Sequence, residues 1–129
     1  MLPLYTIVVS AITMLALDYV YLSTAGTYFQ TLVKQIQGSP IKFNMLGAIL
    51  CYVVLVGAIN HFVLLNKKLN KKEKLRDAFL LGFAIYAVFE LTNIAIFKGW
   101  TWKGVVIDSV WGAVLFLLVT WITLKLLHK

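Results

Sequence analysis

The chain has one cysteine and five acidic residues among 129, and charged residues of both signs make up only 13% of it. The lone Cys51 excludes an intramolecular disulfide and any multi-cysteine metal site. There is no nucleophile elbow, glycine-rich phosphate loop, potassium-filter signature or metal-ligand cluster. His61 and His128 stand alone, the first near a helix end and the second at the C-terminus, and together make no metal site. No basic residue precedes the first apolar run, so the secretory signal pattern is missing and a retained first helix is expected.

Apolar sequence is abundant. Hydrophobic residues reach 61% with a mean hydropathy of +0.88, against about 45–50% apolar in soluble domains. A single-domain, all-α integral membrane protein is the class that fits. The net charge of +7 raises nucleic acid as a partner, but half of the basic residues fall in one stretch, 66–77, between apolar segments. That is the pattern of a cytosolic loop facing anionic headgroups, so membrane lipids are the expected partner and nucleic acid is not.

Four apolar segments emerge, at about 2–22, 43–65, 78–97 and 105–127. Each has roughly 20 residues, enough at about 1.5 Å per residue for the ~30 Å hydrocarbon core. Backbone groups must be satisfied internally in lipid, which makes the segments helices and the fold a four-helix membrane bundle. Pro3 suits a first helical turn, and Gly38-Ser39-Pro40 separates the first two spans. Between about 24 and 37, Tyr28, Leu32 and Gln35/Ile36 fall at helical spacing. This stretch reads as a short amphipathic helix on the membrane surface, a lid over the site, or as an ordered loop. Trp100 and Trp102 fall in a tight turn and read as interfacial indoles.

Basic residues give the orientation. Six from 66–77 plus Lys125 and Lys129 share one side; Lys34, Lys42, Lys98 and Lys103 share the other. The positive-inside rule then puts both termini in the cytosol.

Three of the five acids, Asp18, Glu90 and Asp108, fall inside the apolar spans. Each costs about 2.5–3.5 kcal/mol at a bilayer centre on insertion scales. In the expected topology all three occupy the outer half of the membrane, Asp18 about 6 Å and Glu90 about 10 Å below the outer helix ends, with Asp108 one turn below its own. Glu90, Asn93 and Tyr86 lie along one helix face. Asp108 shares a face with Trp111 and Gly112, and Asp18 has Tyr21 at i+3. No Lys or Arg lies deep in a span to neutralise the acids. Close carboxylates without cationic partners cannot all stay ionised, so one is protonated or a cation is bound. The plain alternatives are that Asp18 and Asp108 lean toward interfacial water or position a helix end, and that Asn93 is interhelical glue. Gly47 with Cys51, and Gly82 with Tyr86, offer small-residue positions for close helix packing.

Leu17-Asp18-Tyr19-Val20-Tyr21-Leu22, Tyr86 with Phe89-Glu90-Leu91-Thr92-Asn93, and Asp108-Ser109-Val110-Trp111-Gly112 together resemble the small membrane proteins grouped as domain of unknown function 2177. The resemblance covers essentially the whole chain and implies four helices. It carries no established activity. Where that family has a Tyr-Asp pair in the third helix, this chain has Phe89-Glu90, keeping the carboxylate on a longer arm and losing a hydroxyl.

Three functions remain open. Proton- or cation-linked transport or permeation uses buried acids without basic partners, and four helices are few to enclose a pathway, so it predicts a homo-oligomer. A membrane enzyme acting on a lipid or other apolar ligand would use two carboxyls of unequal acidity as general acid and base, without a cofactor. A non-catalytic lipid-binding or assembly protein would use the cluster for recognition alone.

Overall fold

A computed structural model describes residues 3–127, so Leu2, His128 and Lys129 lie outside it. The described residues are helical with no strand: α1 (Pro3–Gln37), α2 (Met45–Ile59, continued by a π-helical turn Asn60–Leu64), α3 (Lys71–Ile96) and α4 (Trp102–Leu127). All four helices are long and apolar enough to cross a membrane.

The first helix departs from the sequence reading. Instead of a span ending near Leu22 and a separate surface helix over 24–37, α1 is one helix of 35 residues. The Ser23 and Thr24 hydroxyls bond back to carbonyls of Tyr19, Val20 and Tyr21, so neither interrupts the helix. The side chains expected on the membrane surface instead cover the α3–α4 turn. Tyr28 hydrogen-bonds Thr101 and Phe29 packs on Trp100 with ring centroids 6.4 Å apart. Gly38, at φ 78°, ends the helix, its N–H donating to the Lys34 carbonyl at 2.9 Å.

The third helix begins seven residues earlier than expected, inside the basic stretch. Asn70 and Glu73 form a reciprocal capping box, with Glu73 N–H donating to Asn70 Oδ1 at 2.8 Å and Asn70 N–H to Glu73 Oε1 at 3.0 Å. The loop is thereby shortened, and its basic residues line the first turns of α3. The fourth helix starts three residues early, its first turn tied by Gly104 N–H to Thr101 Oγ1 at 3.1 Å.

Helices α3 and α4 pack most closely. A Cβ at Gly82 would strike the Gly112 carbonyl oxygen and Phe116, and one at Gly112 would strike the Tyr86 ring. The Gly82–Tyr86 expectation therefore holds at this seam. Gly47 and Cys51 do not serve as such a position: the first has only Asn44 near it and the second is exposed. Helix α1 lies antiparallel along α4, and α2 sits at the periphery with Leu55 and Ile59 turned inward. The core is Met14, Leu55, Ile59, Val63, Leu64, Ala78, Leu115, Phe116, Val119 and Leu124.

Candidate functional site

The three intraspan acids come together where α1, α3 and α4 meet beneath the α3–α4 turn. All are buried, with 7% of Asp18, 1% of Glu90 and 9% of Asp108 exposed. Helix periodicity places them. Asp18 continues the buried stripe Thr6, Ser10, Met14 at steps of four along α1. Glu90 is one turn from Tyr86 on the α3 face that meets α4, and Asp108 one turn from Gly112 on the opposing face.

Each acid accepts from neutral donors. Asp18 accepts from the Trp111 indole at 3.0 Å through Oδ1, and from the Tyr52 hydroxyl through Oδ2. Asp108 accepts from the Tyr21 hydroxyl at 3.0 Å. Glu90 accepts from the Trp100 indole at 2.9 Å. The Tyr21 and Trp111 rings stack, with centroids 4.6 Å apart and planes within 1°. That stack joins the donor of Asp18 to the donor of Asp108. The only ion pair among the described residues is Arg76–Asp77 near the start of α3, so no cation compensates the cluster.

Of the sequence candidates, Asp18, Trp111, Tyr21 and Asp108 form one continuous network, and Glu90 is held by Trp100. Tyr86 lies against Gly112 and Phe116 and is near enough to feel the charges of Asp18 and Asp108. Asn93 is buried one turn beyond Glu90. Leaning to water does not describe Asp18 or Asp108, which turn inward onto protein donors.

Two residues of the network were not singled out by sequence. Tyr52 lies in the apolar run of α2, where its hydroxyl was the available signal: a polar tip at span depth needs a partner. Trp100 was assigned to the interfacial belt, yet its N–H points back into the bundle at Glu90. His61, by contrast, is exposed and packs edge-on against Phe62, away from the acids.

The network has one flank open toward the surrounding surface. A groove of about 1210 Å³ runs between α1 and α2, with Ile7, Ala11 and Leu15 on one wall and Tyr52 and Val56 on the other. It extends from Phe43 and Met45 past Tyr52 to Asn60, Lys67 and Lys68. Among the described residues no group of three His, Cys, Asp or Glu side chains is arranged to hold a metal ion. The acids are thus held by indole and phenol donors.

Comparison with curated proteins and with solved structures gives no match. A family of predicted membrane proteins matches over residues 3–125, nearly the whole chain and all of the network. This integral, multi-pass membrane protein belongs to the family described as predicted membrane protein (DUF2177).

Proposed function

We propose that the chain is a proton-linked membrane protein, engaged in transport or permeation, whose carboxyl network binds and releases a proton. The observation that carries this reading is the burial of Asp18, Glu90 and Asp108 within the bundle with neutral donors and no cationic partner. Buried carboxyl groups without a cationic partner cannot all stay ionised, so the cluster holds a proton. The surrounding donors are neutral indoles and phenols, so removal of the proton leaves adjoining negative charges in a dry setting, an unstable arrangement that favours exchange over permanent ionisation. Proton binding is favoured over cation binding because, among the described residues, no three His, Cys, Asp or Glu side chains are arranged to hold a metal ion. The basic residues near 66–77 support an orientation with both termini cytosolic and the network in the outer half. Four helices enclose little space, so the reading includes a homo-oligomer.

Difference infrared spectroscopy of wild type against Glu90→Gln in lipid tests the proton. A protonated-carboxyl C=O band present at neutral pH and lost in the variant is expected. If the carboxyls give only carboxylate bands, the reading fails. Proton flux into proteoliposomes, abolished by Glu90→Gln, is the companion result.

A second reading, a membrane enzyme doing acid–base chemistry on a lipid, draws on the groove. An acyl chain lying between α1 and α2 would reach Tyr52, the donor to Asp18. Its test is the lipid profile of cells expressing wild type or Glu90→Gln. A product present only with wild type would put this reading first.

A further inference from the structure

The polar chemistry of the α1–α4 seam stops below Asp18 and starts again. Three contacts fix the register: Tyr28 with Thr101, Tyr21 with Asp108, and Asp18 with Trp111. Seven residues down α1 from Tyr28 match seven up α4 from Thr101, and three more on each helix reach Asp18 and Trp111. Continued in step, this register sets Met14 level with Leu115, Ser10 level with Val119 beside Thr120, and Thr6 level with Thr123.

The Met14 level is dry. Met14, Leu55, Ile59, Leu115 and Phe116 belong to one packed apolar cluster. The next level is polar and equally closed. Asn60 is 3% exposed, and Ser10, Thr120 and Thr123 are 0% exposed. Asn60 Nδ2 donates to Ser10 Oγ at 2.9 Å and to the Val56 carbonyl at 2.8 Å, tying α2 to α1. Asn60 Oδ1, Thr120 Oγ1 and Thr123 Oγ1 have no hydrogen-bond partner. Native interiors leave few such oxygens without protein or water.

Asn60 also opens the π-helical turn, its carbonyl accepting from Leu65 N–H at 2.8 Å. Such turns insert one residue into a helix and recur at functional sites. The groove between α1 and α2 reaches Asn60 and ends at Lys67 and Lys68, connecting this level to the basic loop.

We infer that Asn60, Thr120 and Thr123 hold ordered water, and that this hydrated site is the loop-side half of a proton route whose dry gate is the Met14–Leu115 level. The ligand class follows from the donor set. Asn60 Oδ1 only accepts, whereas threonine hydroxyls donate and accept, so water can donate to the first and bond either way with the others. Buried waters take two to four such polar partners. The route, though not the water site, rests on the proton-binding reading of Glu90 and Asp108. From Ser10 to Asp18 the helical rise covers about 12 Å, spanned in the dry level by Met14 alone on α1.

Water-edited solid-state NMR of isotopically labelled protein in bilayers tests the site. The Asn60 carboxamide and the Thr120 and Thr123 side-chain signals are expected to gain magnetisation from water, with the Met14 methyl and Leu115 dark. Dark Asn60 and threonine signals overturn the site. The double variant Thr120→Val, Thr123→Val keeps volume and is expected to silence Asn60; an unchanged Asn60 signal also overturns it. Deuterium uptake by the Glu90 carboxyl, followed by infrared, tests the gate. Met14→Ser is expected to speed uptake about tenfold, a modest lowering of one barrier, and an unchanged rate removes the route. If no carboxyl band sensitive to Glu90→Gln exists, the proton reading and the route fall, and the water site still stands or falls by NMR.

Discussion

The two polar levels of the α1–α4 seam are built on opposite rules. At the carboxyl end every acid meets a dedicated indole or phenol donor, and the donors come from α1, α2, α4 and the α3–α4 turn. At the hydroxyl end the protein supplies more polar atoms than partners, and three oxygens are unmatched, against Ser109 Oγ alone beside the acids. Full matching fixes a geometry, because each missing partner leaves a buried polar group stranded. Partial matching leaves freedom for small molecules. The contrast teaches that burial alone does not distinguish a rigid polar site from an accommodating one. The ratio of donors to acceptors does.

The comparison can be broken most severely from its midpoint. Gly112→Leu drives a side chain into the Tyr86 ring and separates α3 from α4. A loss of about 3 kcal/mol or more is expected, read as collapse of the thermal transition in detergent, with both ends affected together. Asp18→Ala comes next. It strands the Tyr52 and Trp111 donors and should cost about 2 kcal/mol, with Trp111 fluorescence changing as its indole loses the acceptor. Tyr52→Phe removes one donor and leaves the other, for about 1 kcal/mol by the same assay. Thr120→Val is the smallest, within about 0.5 kcal/mol of wild type, since its hydroxyl has no protein partner to lose. A Thr120→Val cost larger than that of Tyr52→Phe would reverse the contrast between the ends.

Much of this was legible in the sequence, for reasons that differ by residue. The spans followed from length and hydropathy, because lipid leaves the backbone few alternatives. Asp18, Glu90 and Asp108 stood out because charge is costly at their depth. Tyr21 and Trp111 followed from helical spacing. Tyr52 and Trp100 did not, since tyrosine and tryptophan are abundant in spans and belts, and only the fold says where a hydroxyl or indole N–H points. The length of α1 is hidden because the apolar run ends near Leu22, while the helix continues through Ser23 and Thr24, whose hydroxyls bond back to its carbonyls, and a buried Gly26. The early start of α3 was hidden by charge: the Asn70–Glu73 capping pair sits in a stretch read as loop.

The length of α1 has a mechanical consequence. At 35 residues it extends about 52 Å, whereas the 20 residues Met45–Leu64 extend about 30 Å. In a bilayer with a ~30 Å core the shorter helix matches the hydrocarbon upright, and the longer one must tilt or project. A change in bilayer thickness therefore rotates the two helices by different amounts. They are joined at the site by the Tyr52–Asp18 hydrogen bond, so hydrophobic mismatch bears directly on a carboxyl group, and lipid chain length becomes a variable that acts on the network without any ligand.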